Sequence, residues 1–376
     1  MAHTTKNKNK NKNKNTDESR AASLDVFNKS ISWRSKLVLG IGLVVIIFAS
    51  FALGRFPVDP ITLLQTLGAV CANLVLLVLR SFGMSVTLFP LDPDVVTALF
   101  CIRFPRILVV LLSGAALAIS GAAYQGMFKN PLVSPDILGA SSGAAFGACL
   151  ALLLDAPQAV VQISAFCGAL IAVGIVLWIN RLVNAYDALL GLVLGGILVA
   201  TLFEAGTSLV KYVADASDKL PTITFWLMGS FSRIDQFDFL AVVLPMLFGF
   251  CLLLLKSWEL NVLSFGEEEA KSLGIHVERV RLYVIFASTL IVACSVAVAG
   301  IVGWVGLVIP HLARSIVGAN YKSLLPASLI LGAGYLLIVD DISRLASTVE
   351  VPVGILTALL GVPFFLFIFK RNMQGW

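Results

Sequence analysis

The chain has 376 residues, of which 58% are hydrophobic and 13% are charged, and its net charge is +5 at pH 7. Soluble proteins average about 45–50% apolar and about 25% charged residues, so this chain has too little polar surface to cover a water-soluble core. The composition argues against an ordinary soluble protein and predicts an integral membrane protein.

The first 36 residues are polar, and residues 6–15 alternate between Lys and Asn. Such a segment buries too little apolar surface to fold, so a disordered basic cytoplasmic tail is predicted over residues 1–36. No cleavage-like site follows the first apolar run, which argues against a secretory signal. A polytopic domain is predicted over residues 37–371, followed by a cytoplasmic tail over residues 372–376.

Apolar runs long enough to cross a bilayer recur along the rest of the chain. A transmembrane helix needs about 20 mostly apolar residues. The run over residues 282–310 is too long for one helix, so Gly300, Gly303 and Gly306 are expected to divide it. We predict an all-α integral membrane protein with ten transmembrane helices, at about residues 37–54, 104–128, 136–154, 159–180, 188–211, 239–256, 281–299, 302–316, 323–344 and 352–370.

The distribution of Lys and Arg orients these helices. Short cytoplasmic loops are enriched in both residue types, and with both termini in the cytoplasm nineteen of the 27 fall on the inner side. Residues 61–79 are also free of charge, but counting them as a span would move Arg279, Arg281 and Arg314 to the outside. We therefore interpret residues 61–79 as a helix that lies at, or dips into, the outer face.

Nine short motifs follow one another between residues 103 and 369. They include RFPR at residues 103–106, NPL at 130–132 and GWVGLVIPH at 303–311. The others lie at residues 114–121, 137–143, 226–229, 266–274, 352–354 and 361–363. In their order and spacing the chain resembles the FecCD family of ABC-importer permeases, which includes the cobalamin, ferrichrome, enterobactin and haem permeases.

The resemblance implies a multi-pass permease subunit of the cytoplasmic membrane, with importer cargo such as a ferric siderophore, a related iron chelate, haem or cobalamin. It implies ATP-driven alternating access as a homo- or heterodimer, with two cytoplasmic ATPase subunits and an extracytoplasmic binding protein. Membrane lipid is the other expected partner, and nucleic acid is not expected.

Catalytic machinery is not expected on this chain. It contains no Walker A sequence and no Gly-Lys dipeptide, so ATP and Mg are expected on the partner ATPase. No cofactor or metal is expected on the chain itself. The alternative is a secondary transporter driven by an ion gradient, a class that usually places several ionisable residues at mid-membrane. Here Glu204 is the candidate.

An acidic segment separates the sixth and seventh spans. Glutamates at 267–269 suit a helix N-terminus, Lys271 lies four residues after Glu267, and Gly274 is placed to end the helix. In the family this segment is the coupling helix that docks on the ATPase, and a solvated amphipathic loop is the alternative. The residues assigned to this contact are Gly266, Glu267, Glu268, Glu269, Ala270, Leu273 and Gly274.

Three arginines, Arg103, Arg106 and Arg344, fall on the outer side of the predicted topology, against the positive-inside tendency. In the family, matching arginines pair with glutamates of the binding protein, and a planar guanidinium suits such bidentate contacts. We therefore assign all three to binding-protein docking. Two alternatives stay open: arginines at span ends can extend toward lipid phosphates, and Asp341 could hold Arg344 internally.

The family's cytoplasmic gate matches two turns of this chain. Asn130 and Leu132 follow the second span, and Ala185 and Tyr186 lie between the fourth and fifth spans. The second turn departs from the small hydroxyl residues of the family, so an ordinary turn is the alternative there.

Glu204 interrupts an otherwise apolar span. An ionisable residue inside a membrane is costly and usually faces a cavity or a partner, and in the family the fifth span lines the translocation pathway. We predict that Glu204 faces this pathway. Contact with the membrane interface or with a neighbouring span is the alternative.

Overall fold

A computed structural model gives the structure of residues 33–54, 59–81, 89–183 and 188–373. These residues form helices joined by short connections and contain no β-strand. The prediction of an all-α protein is confirmed for this part of the chain.

The structure contains fifteen α-helices, a π-helical turn and a 3-10 helix within the described residues. The first part contains α1 (Trp33–Ala52), α2 (Pro60–Ser81), α3 (Pro93–Val96), a π-helical turn (Thr97–Arg103), α4 (Phe104–Met127), a 3-10 helix (Pro135–Leu138), α5 (Ala140–Leu153), α6 (Gln158–Val183) and α7 (Ala188–Val213). The second part contains α8 (Lys219–Leu227), α9 (Gln236–Leu255), α10 (Ser257–Phe265), α11 (Glu267–Ser272), α12 (Val277–Ala299), α13 (Val305–Val317), α14 (Tyr321–Leu345) and α15 (Val353–Met373). Each predicted span contains one helix, namely α1, α4 to α7, α9, and α12 to α15.

Within the described residues, six helical stretches are long and apolar enough to cross a bilayer unaided: Pro93–Met127, α6, α7, α9, α12 and α14. The apolar stretches in α1, α5, α13 and α15 are shorter. With 14 and 13 residues, α5 and α13 extend only about 20 Å at a rise of about 1.5 Å per residue. Each of these helices is therefore shorter than the hydrocarbon core of a bilayer, which is about 30 Å thick.

The break between α12 and α13 falls where the glycines predict it. α12 ends at Ala299, Gly300 has a φ of +71°, and α13 begins at Val305. The carbonyl of Ala299 accepts a hydrogen bond from the Ser230 backbone, and Gly300 is buried. Surrounding protein therefore covers this non-helical backbone.

α4 is the central helix of the bundle. It contacts α1, α9, α12, α13 and α14, and residues 113–127 are all buried. A Cβ atom on Gly114 would overlap the backbone of Gly332 in α14, and one on Gly121 would overlap the backbone of Gly306 in α13. Small residues let helix backbones approach closely, so these two crossings require glycine.

α2 includes residues 61–79, so the structure contains the helix that the sequence analysis predicts for this segment. Leu63 is buried against Val95 and Leu99, and the Asn73 side chain exchanges two hydrogen bonds with the backbone of Phe89. These contacts connect α2 to the segment that leads into α4.

α7 lies at the periphery. It is the least buried of the six long apolar stretches, and its main contacts are with α5, α6 and the 3-10 helix. Large apolar side chains such as Leu198, Leu202 and Leu209 remain exposed along it. In the membrane, this surface is open to lipid, to another subunit or to a water-filled path.

Candidate functional site

The three arginines assigned to docking lie together at one end of the bundle. Arg103 ends the π-helical turn, Arg106 lies in the first turn of α4, and Arg344 lies in the last turn of α14. The close packing of α4 on α14 brings them together, and all three are buried. With three acidic residues they form what we call the arginine–carboxylate cluster: Arg103, Arg106, Arg344, Asp340, Asp341 and Glu350.

Arg106 is held by two carboxylates. Its Nη2 donates to Asp340 Oδ1 at 2.7 Å, and its Nε donates to Asp340 Oδ2 at 3.1 Å. Its Nη1 and Nη2 also donate to the two oxygens of Glu350 at 3.0 and 2.9 Å. Both contacts are bidentate, so four of the five N–H donors of the guanidinium bind these two partners.

Arg344 connects the end of α14 to α1. Its guanidinium forms a short ion pair with Asp341, and its Nη2 donates to Ser50 Oγ at 2.8 Å. Ser50 in turn donates to Asp341 at 2.7 Å. The Nε of Arg344 lies 3.2 Å from Asp340 Oδ2 but makes no hydrogen bond, so this contact is electrostatic only.

Arg103 contacts the end of α1, where it donates to the carbonyl of Phe51 and lies over Gly54. All three arginines line one cavity of about 210 Å³, together with Glu350. Among the acidic members, Asp340 is fully buried on α14, whereas the Glu350 side chain is 18% exposed on the connection to α15. Glu350 is therefore the acidic member best placed to move.

The docking role of these arginines stays a prediction. The internal alternative for Arg344 is present in the structure as its ion pair with Asp341. The sequence analysis did not assign Asp340 or Glu350 to this site. A signal for Asp340 was present, because Asp340 and Asp341 are adjacent inside a predicted span. Unpaired charges are costly in a membrane, so such a pair indicates cationic side chains nearby.

The acidic segment between the sixth and seventh spans forms the predicted short helix. α11 begins directly after Gly266, and Gly274 adopts a φ of +78° after its end. Ala270 is buried, whereas Phe265 and Leu273 are 55% and 63% exposed. The segment thus presents large apolar side chains at the surface, although α11 itself is mostly polar.

One detail of this segment differs from the sequence-based expectation. The Glu267 carboxylate pairs with Arg281 in α12, and Lys271 is exposed. Glu267 pairs with Arg281 and not with Lys271 because α12 packs beside α11, and the Arg281 side chain is only 9% exposed. This ion pair anchors the beginning of α11 to a transmembrane helix.

The predicted gate residues are described only in part. Asn130 and Leu132 are exposed after α4, and Asn130 Oδ1 accepts a hydrogen bond from the Leu132 backbone at 2.9 Å. Ala185 and Tyr186 lie outside the described residues. The structure therefore brings the first pair together in one turn, and a gating role stays a prediction.

Glu204 lies on the exposed side of α7. Its carboxylate accepts one hydrogen bond, at 3.2 Å, from Ser142 Oγ in α5. Leu202 and Leu209 near it on α7 are 66% and 64% exposed. A carboxylate in this apolar setting would be costly against lipid, so this part of α7 is expected to face water or a partner.

The described residues contain no group of three or more His, Cys, Asp or Glu side chains arranged to hold a metal ion. The arginine–carboxylate cluster, the α11 segment and Glu204 remain the candidate sites within the described residues. Comparison with known proteins identifies the kind of protein that uses them.

The sequence profile of the FecCD transport family matches residues 42–371. The chain belongs to the FecCD family. This match confirms the resemblance drawn from the nine motifs, and with it a permease subunit of an ABC importer and a multi-pass protein of the inner membrane. The secondary-transporter alternative is therefore set aside.

Relatives of this FecCD protein carry different cargoes. It is 40% identical to the molybdate import system permease of Haemophilus influenzae, over 90% of this chain and 97% of that one. It is 40% identical to the cobalamin import system permease of Halobacterium salinarum, over 72% of each chain. It is 37% identical to the hemin transport system permease of Yersinia pestis, over 73% of this chain and 83% of that one.

A solved structure has the same fold. It is an ABC transporter described as of the metal-chelate type, in an inward-facing conformation, and it is 38% identical to this chain with a TM-score of 0.76. The match covers 89% of this chain and 98% of that one. ABC permeases of this kind imply a transmembrane dimer with ATPase partners.

Proposed function

We propose that this FecCD permease forms, as a dimer, the membrane conduit of a binding-protein-dependent importer for a ferric siderophore, a related iron chelate, haem or cobalamin. Ten spans, with both termini in the cytoplasm, enclose the path. The observation that carries the proposal is the family match over residues 42–371, supported by relatives that include a hemin permease and a cobalamin permease.

A second cargo class is molybdate. The molybdate permease of Haemophilus influenzae aligns over 343 residues and nearly its whole length, whereas the cobalamin and hemin relatives align over 270 and 283 residues. The longer match covers 90% of this chain. We therefore include molybdate, an oxyanion, among the cargoes to be tested for uptake.

The mechanism follows from the positions of the sites in the bundle. The α11 segment presents Phe265 and Leu273 at the surface and is anchored to α12 through the Glu267–Arg281 ion pair. We propose that it docks on the ATPase, so that ATPase closure pushes on α12. Because α12 packs against α4 and α9, this movement reaches the helices around the central path.

The binding protein is proposed to dock at the opposite end, over the arginine–carboxylate cluster. Three arginines line one cavity there, which suits a carboxylate of the partner. Because four of the five N–H donors of Arg106 bind Asp340 and Glu350, an incoming carboxylate that makes a bidentate contact would exchange with Glu350, the acidic residue on the connection.

Uptake in proteoliposomes tests the proposal. The permease is reconstituted with the ATPase and binding protein encoded beside it, and uptake of radiolabelled ferric siderophore, haem, cobalamin and molybdate is compared with and without internal ATP. We expect ATP-dependent uptake of one cargo class that requires both partners. Uptake driven by an ion gradient without the ATPase would contradict the proposal.

A further inference from the structure

A cavity of about 490 Å³ opens between the ends of three transmembrane helices. It lies where α6 ends and where α7 and α12 begin, at the same end of the bundle as α11. Its lining residues are Leu177, Asn180, Arg181, Ala188, Leu192, Glu278, Arg279, Arg281, Leu282 and Ile285. A water molecule occupies about 30 Å³ of liquid, so the cavity has room for a group much larger than a single ion.

The charged side chains that line this cavity are mostly basic. Among the described residues, its lining contains three arginines, Arg181, Arg279 and Arg281, and one acidic residue, Glu278. Arg281 is paired with Glu267, but Arg181 and Arg279 are exposed and form no ion pair or hydrogen bond with any described residue. Two guanidinium groups that lack a carboxylate partner among the described residues attract an anion, and their planar donors suit phosphate oxygens.

The rest of the lining is largely apolar. It includes Leu192 and Ile285, which are buried, and Leu282, which is exposed. A small soluble anion would fill only the charged part and leave these side chains against water. A phospholipid matches both parts, with a phosphate between the arginines and acyl chains along the leucines.

We propose that this cavity is a binding site for the headgroup of an anionic phospholipid. The shared chemistry is a phosphate ester, and basic pockets between transmembrane helices bind such headgroups. Arg181 and Arg279 hold the phosphate, and the apolar lining selects a lipid over a free phosphate. Arg281, the residue that anchors α11, also lines the cavity, so the lipid lies beside the segment proposed to meet the ATPase.

Lipid retention by the purified full-length permease tests this site. The protein is exchanged into micelles that contain phosphatidylglycerol or phosphatidylcholine, and bound lipid is counted by native mass spectrometry. Each interfacial arginine contributes roughly a fivefold gain in affinity for anionic lipid. We expect about fivefold weaker phosphatidylglycerol retention in Arg181→Gln and in Arg279→Gln, and a roughly 25-fold loss in the double variant.

The control variant is Lys322→Gln. Lys322 is exposed at the beginning of α14, at the same end of the bundle, and does not line the cavity. It should retain phosphatidylglycerol like the wild type. Thermal unfolding of each variant verifies folding, and Arg279→Lys, which keeps the charge, should retain more lipid than Arg279→Gln.

Three results would overturn the proposal. One is equal retention of phosphatidylglycerol and phosphatidylcholine by the wild type. Another is the same loss in Lys322→Gln as in Arg181→Gln, which would indicate general surface attraction. The third is displacement of the lipid by inorganic phosphate, which would identify a free-phosphate site. Retention is measured without transport, so these results leave the proposed import function untouched.

Discussion

Replacing Arg106 tests whether the arginine–carboxylate cluster stabilises the fold. Arg106→Met would leave Asp340, which is fully buried, with only the electrostatic contact of Arg344 at 3.2 Å. Removing one partner of a buried ion pair costs about 3–5 kcal/mol, because the other charge remains unpaired. At about 2–4 °C per kcal/mol for large domains, we expect the melting temperature to fall by roughly 10 °C.

The measurement is thermal unfolding of the purified permease followed by tryptophan fluorescence, since the chain has six Trp residues. Arg233→Met is the matched control, because Arg233 is exposed and has no ion pair with any described residue. Exposed substitutions of this kind change stability by about 0.5 kcal/mol or less. The control should therefore melt close to the wild type.

A double variant measures the interaction energy between Arg106 and Asp340 separately from the contribution of each side chain. Adding Asp340→Asn to Arg106→Met removes the unpaired charge, so the double variant should lose at least about 1 kcal/mol less than the sum of the two single losses. Simple additivity, or a wild-type melting temperature for Arg106→Met, would refute the reasoning.

Three further predictions concern function. Glu350→Gln should tighten the affinity of the permease for the binding protein about tenfold, equivalent to about 1.4 kcal/mol, because it removes a carboxylate that competes for Arg106. Surface plasmon resonance measures this affinity. Weaker binding would contradict the proposed exchange of Glu350 for a carboxylate of the binding protein. Leu273→Glu should abolish ATPase-coupled uptake without changing the melting temperature, because Leu273 is 63% exposed, and unchanged uptake would remove α11 from the ATPase contact. Glu204→Cys should react with a water-soluble thiol reagent in at least one transport state, and resistance in every state would argue against a pathway position.

Local signals in the sequence predicted the helices and their ends. The glycines at residues 300–306 correctly predict the break between α12 and α13, because they interrupt one continuous apolar run. Gly274 marks the end of α11 for the same reason, since a left-handed residue after a helix strongly favours glycine.

Partners of buried charges could not be predicted in the same way. Asp340 and Glu350 lie 234 and 244 residues after Arg106, and their meeting depends on how closely α4 and α14 pack. Sequence spacing likewise favours Lys271 as the neighbour of Glu267, whereas tertiary packing places Arg281 there. Charge pairing within a bundle is set by helix packing and has no local signature.

The arginine–carboxylate cluster also has an electrical consequence. Three guanidinium groups and three carboxylates balance, so the ends of α4 and α14 can shift as a unit while moving no net charge from this cluster. Moving one unbalanced charge across the membrane would cost or release about 2.3 kcal/mol per 100 mV. With respect to these six residues, a joint shift of the two helix ends therefore does no net work against the membrane potential.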